Sequence, residues 1–137
     1  IQAYVRDDRQ TIVKSYYFGP SQVNQNSVIL KANEEEQKFS GNNHHFLSEG
    51  HHEIMTLENE QALAFLNFVS THHSHRIAVE GKGQNNKSWV YYLNTQEKDA
   101  LSKTYQLGWV MKDIKHIEQL QKTANAQIMY YQQKKAK

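Results

Sequence analysis

Histidine is the residue type in this chain with the most chemistry to offer. Eight of the 137 residues are histidines, and seven fall between positions 44 and 75, as His44-His45, His51-His52, His72-His73 and His75. Neutral imidazole is the commonest ligand for divalent transition metals, and a carboxylate beside it completes many such sets. Ser48-Glu49-Gly50 reads as the loop of a β-hairpin over about residues 44–56, with glycine last, where a left-handed backbone costs it least. Closing the hairpin there sets Leu47 opposite His51 and His45 opposite Glu53. His45, His51 and Glu53 then share one sheet face. The trio is suited to Zn²⁺ or another divalent ion, and His72 and His75 could complete the set.

The plainer reading of these histidines weighs more. A doubled histidine on a strand sends one ring to each face, and a slip of one residue exchanges the faces. No His-Glu-x-x-His spacing occurs. Surface or half-buried rings are therefore expected, with no cofactor, and the trio stands as the one metal candidate. Other catalytic patterns are missing. There is no Gly-x-Ser-x-Gly elbow and no cysteine, and Gly81-x-Gly83 precedes a strand-like run, so it reads as a turn and not a phosphate loop. A small hydrolytic enzyme using histidines and carboxylates in a cleft is the other alternative, with no pair ranked above the rest.

The elements that must position these residues follow from periodicity. Segments Gln2–Arg6, Thr11–Phe18, Ser27–Ala32, the 44–56 hairpin, Arg76–Glu80 and Ser88–Leu93 are rich in β-branched and aromatic residues. Asn33 and the run Glu34-Glu35-Glu36 read as a solvated turn or strand edge. A short helix is expected over about residues 57–70, capped by Thr56. A long C-terminal helix is expected over about 95–133, capped by Asn94 or Thr95, with Gly108 as the point where it breaks or kinks. Its stripe Val110, Ile114, Ile117, Ala124, Ile128, Tyr131, flanked by Leu120, is the strongest periodic signal, and its first part is expected to dock on the sheet. Residues 53–63 and 91–101 echo one another as strand end, cap, acidic first turn and Ala-Leu, which suggests that each helix packs on the sheet of its own strand.

The fold class is therefore α+β, a mainly antiparallel sheet of about six strands with two helices, in a single domain over residues 1–137. The chain is 38% apolar with 16 basic and 14 acidic residues, net +2. That balance creates no long-range field. Lys103, Lys112, Lys115, Lys122, Lys134, Lys135 and Lys137 interleave with Trp109, Tyr130 and Tyr131, a pattern that can stack on single strands, but Asp99, Asp113 and Glu118 dilute it and disfavour nucleic acid. No run of about 18 apolar residues exists to span a membrane.

A helix over 109–133 is about 37 Å long, more than the roughly 17–20 Å of a strand, so its end is expected to overhang. Met129, Tyr130 and Tyr131 at that end mark an interaction element for a protein partner or for self-association as a homodimer. The leading function is a non-catalytic interaction or accessory domain of an exported or envelope-associated bacterial protein. Asn and Gln richness tilts the location towards the periplasm or cell envelope.

Overall fold

The computed structural model describes residues 1–135 and is α+β: two four-stranded antiparallel sheets and two helices. The strands are β1 (Gln2–Val5), β2 (Thr11–Gly19), β3 (Ser27–Ala32), β4 (Glu35–Phe39), β5 (Asn42–Leu47), β6 (His51–Glu58), β7 (Ala78–Lys82) and β8 (Ser88–Tyr92). Helix α1 (Asn59–Thr71) follows β6, and α2 (Thr95–Lys135) follows β8. One sheet has the order β1-β2-β6-β5 and the other β4-β3-β7-β8. The strands expected in one sheet of about six are thus eight in two sheets. Alternation along a strand reveals which residues face inwards. It does not reveal that β3 leaves its predecessor to pair with β7.

Core residues come from both sheets and from α1. Val13, Met55 and Leu57 of the first sheet and Val28, Leu30, Phe39, Ile77 and Val79 on the second side join one cluster with Ala62, Phe65, Leu66, Phe68 and Val69 of α1. Helix α1 begins three residues after Thr56, which lies within β6. Glu58 is the N-cap residue, with no side-chain cap. At the start of α2 the expected cap forms as a reciprocal box: Asn94 Oδ1 accepts from the Glu97 N–H at 2.8 Å, and Glu97 Oε1 accepts from the Asn94 N–H at 3.1 Å.

The two sheets have unlike outer faces. On the second, Lys31 Nζ sits 2.8 Å from Glu80 and 3.9 Å from Glu36, a solvated ion ladder. On the first, pairing places Phe18, His52 and Phe46 in one row, with Phe18 and Phe46 exposed. The tight turn between β3 and β4 has Asn33 and Glu34 at φ 47° and 66°. Of the eight non-glycine residues at positive φ, five are asparagines: Asn24, Asn33, Asn59, Asn85 and Asn86. Asparagine tolerates that conformation through local hydrogen bonds, so much of the asparagine noted in the sequence is turn chemistry.

Helix α2 runs unbroken through Gly108, where a break or kink was expected. Gly108 is buried, and a Cβ there would come within 2.7 Å of Thr11 Oγ1 and 3.0 Å of Leu63 Cδ2. The missing side chain lets α2 approach α1 and β2 closely. Leu101, Tyr105 and Gly108 lie on the docked side, so α2 packs chiefly on α1 and β1 and not on the sheet of its own strand. Two residues of the expected docking stripe point the other way, Val110 and Ile117, each 53% exposed, and Ile114 between them is partly buried.

Two stability measurements check this reading. Gly108→Ala is expected to lose stability in urea melts although alanine is the better helix former by about 1 kcal/mol; a gain of that size would place α2 further from Thr11. Glu34→Gly, which matches glycine to the left-handed position of the β3–β4 turn, is expected to gain about 1 kcal/mol, and no gain would contradict the turn geometry.

Candidate functional site

The β5–β6 hairpin has the expected register, with Leu47 opposite His51 and His45 opposite Glu53. His45 and His51 meet: His45 Nε2 lies 2.8 Å from His51 Nδ1, with ring centroids 5.0 Å apart and planes 26° from parallel. A separation of centroids that large for so short a contact means that the nitrogens point at each other head-on. One ring donates its N–H to the other. As arranged, the pair holds a proton between its nitrogens, and a metal ion at about 2.0–2.1 Å from each would require the rings to turn.

Glu53 shares their face but is occupied elsewhere. Its side chain is fully buried. Oε2 accepts from the Val23 N–H at 2.6 Å, and Oε1 accepts from the Gln25 N–H at 2.7 Å and from Asn43 Nδ2 at 3.1 Å. Burial alone would push this carboxyl up. The backbone N–H groups of Gln25, Val23 and Asn24, with the Asn43 amide, outweigh burial and hold it below its ordinary value of 4.5. The sequence gives no local sign of this role, because Val23 and Gln25 are some 30 residues away. An isolated glutamate among inward-facing strand positions is the only hint.

The remaining histidines go to separate places. His72, at the C-terminus of α1, is buried with Nδ1 2.9 Å from the Phe68 carbonyl and Nε2 2.9 Å from Glu35 on β4. His75 packs near it, with centroids 6.2 Å apart. His73 contacts Asp99 of α2, and His52 packs against Phe18 with centroids 4.4 Å apart and planes tilted by 35°. Among the described residues no three His, Asp or Glu side chains converge as a metal-ligand group.

One recess of about 380 Å³ lies where the β1–β2 turn, the start of α1 and α2 meet, lined by Arg9, Thr11, Glu60, Lys112 and Lys115. Its carboxylate, Glu60, is 3.1 Å from Lys112 Nζ. Lys112 also lies 5.0 Å from the centre of the Trp109 ring, and Arg9 bonds Glu118 at 2.9 Å. These pairs fasten α2 to the body of the protein and bring no second carboxylate to Glu60.

A long run of exposed apolar side chains lies on α2. Every residue from His116 to Lys134 is exposed. Ile117, Leu120 and Ile128 are 53–56% exposed, and Met129, Tyr130 and Tyr131 are 59–63% exposed. At 100° per residue, Leu107, Val110, Ile114, Ile117, Ala124, Ile128 and Tyr131 follow one side of the helix, opposite the docked side with Gly108. Met129 and Tyr130 sit on the other side of the tip, and the Tyr130 and Tyr131 rings touch edge to face at 5.8 Å. Among the described residues no helix is long and apolar enough to cross a membrane.

Comparison of the chain with models of protein families, with curated proteins and with solved structures finds no match. Geometry alone carries the functional reading.

The buried carboxylate gives a measurable outcome. Glu53→Gln turns an amide NH₂ towards backbone donors and is expected to cost about 2–3 kcal/mol at neutral pH. Because the folded-state carboxyl binds its proton less tightly than the unfolded chain, its stabilisation is present above pH 4.5 and declines as pH falls below that value. Urea melts of both proteins from pH 7 to pH 3 should therefore show the gap between them closing on the acid side. A gap independent of pH would contradict the bonding described.

Proposed function

We propose that the chain is a non-catalytic interaction domain, an accessory part of an exported or envelope-associated bacterial protein, and that α2 carries its interface. The observation behind this reading is the exposed apolar stripe of α2, which begins within the docked segment and continues along a tail that no other element covers among the described residues. From Gln119 to Lys135 the tail is 17 residues, about 25 Å. Wet apolar side chains repeated at helical spacing on such a scale favour a protein partner, since isolated exposed ones need no explanation and a continuous row does. The Asn- and Gln-rich surface suits a location outside the cytoplasm, and fractionation of the native host tests that part of the reading: recovery with the cytoplasm would overturn it.

The interface is tested by placing a photoreactive residue at Ile128, on the stripe, and separately at Lys122, away from it, in the full-length protein in its native host. Illumination is expected to give a covalent adduct with another polypeptide from position 128 and much less from position 122. No adduct from position 128, or equal adducts from both, would overturn the assignment of the interface to this side of α2.

A further inference from the structure

The outward stripe of α2 has a regularity beyond simple amphipathicity. Leu107, Val110, Ile114, Ile117, Gln121, Ala124, Ile128 and Tyr131 are spaced by alternating steps of three and four residues, without an exception over 25 residues. That is a coiled-coil heptad, with Leu107, Ile114, Gln121 and Ile128 at the a positions and Val110, Ile117, Ala124 and Tyr131 at the d positions. A single helix packing on a globular surface keeps a period of 3.6 and drifts off a strict seven-residue repeat by about 20° per heptad. The docked side of α2 has no such repeat. Its contact is built around Gly108.

We propose that α2 pairs in parallel with α2 of a second copy of this chain, along the seam from Leu107 to Tyr131, with Gln121 setting the register. The inference rests on the interaction reading above and names the partner. Four observations select a second copy. A heptad seam needs a helix of the same period opposite it, and α2 is such a helix in every copy. The seam lies opposite the docked side, so two folded bodies would sit on the outer sides of the pair without colliding. The stretch from Gln119 to Gln133 carries one charge, Lys122, so two copies can approach with little like-charge cost. Finally, a row of apolar side chains, most of them about half wet, from Leu107 at 45% to Tyr131 at 63%, with Ile114 partly buried, can bury on the order of 800 Å² per chain, the size of a standard dimer interface.

Gln121 decides the orientation. In a parallel pair the two Gln121 side chains face each other in one layer, where each amide can donate to and accept from the other. In an antiparallel pair each faces Ala124 or Ile117 and leaves its amide unsatisfied, a cost that polar seam residues use to exclude wrong alignments. Of the three aromatic and sulfur-bearing residues at the tip, Tyr131 enters the seam, and Met129 and Tyr130 stay outside it.

Sedimentation of the purified full-length chain from about 1 to 200 µM is expected to show a monomer–dimer equilibrium. Ile117→Glu, a change at an exposed position outside the core, should abolish the dimer and leave the folded-state spectrum unaltered. The chain has no cysteine, so Ile128→Cys is expected to form a disulfide-linked dimer under mild oxidation, and Lys122→Cys is not. A parent that remains monomeric at 200 µM, or a dimer that survives Ile117→Glu, would overturn the proposal. A dimer in which Ile128→Cys does not cross-link would overturn the parallel pairing. A monomer in solution, together with an adduct from position 128 to a different polypeptide in cells, would remove the second copy as partner and leave the interface itself in place.

Discussion

A single carboxylate holds together the part of this protein from which everything else is hung. The chain must pass from the first sheet to the second between β2 and β3, and the connecting backbone exposes N–H groups that neither sheet can satisfy. Glu53, on the inward face of β6, supplies both its oxygens to that segment. A buried charge without hydrogen bonds would be prohibitive, but one that accepts from several backbone donors is stabilised and fixes their positions. The lock extends across the gap: Trp89 Nε1 of β8 donates to the Gln25 side chain at 3.1 Å, and Tyr17 of β2 stacks on Trp89 with centroids 6.3 Å apart. This end of the two sheets is thus closed by polar bonding and aromatic contact, and the hydrophobic cluster with α1 fills the remainder.

With that body fixed, α2 has only a short stretch in which to attach. Its docked side is poor in large apolar residues, and close backbone approach at Gly108 substitutes for side-chain area. Ion pairs at the rim, Arg9 with Glu118 and Lys112 with Glu60, are exposed and individually weak, and the buried contacts of Leu101 and Gly108 set the rotation of the helix. That rotation decides which side of α2 is left exposed. It turns most of the heptad stripe outwards, with Ile114 partly buried.

Much of the fold was legible in the sequence because it follows from local physics. The hairpin around Ser48-Glu49-Gly50, its register, the Asn94 cap and the extent of both helices rest on neighbours within a few residues. The split into two sheets was not legible, since the β2–β6 and β3–β7 pairings join residues 32–55 positions apart and leave no local mark. Gly108 misled for a related reason: glycine lowers helix propensity, and only the approach of Thr11 and Leu63 reveals why it is present. The most regular apolar stripe of a helix is the docking side in most proteins. In α2 the docked side needs closeness and the free side carries the pattern. Of the site, the meeting of His45 and His51 followed from register, and the removal of Glu53 to the β2–β3 connection did not.

The account stands on the overhanging part of α2 being an interface and not a solvated spur. A helix of about 12–15 residues in water is marginal when nothing packs on it, so the tail alone should open readily. Amide hydrogen exchange over residues 119–133, measured on the full-length chain at about 1 µM and at about 200 µM, reads this directly. The account predicts fast exchange when dilute and strong protection when concentrated, with the core amides of β2 and β6 slow in both. Equally fast exchange of the tail at both concentrations would contradict it.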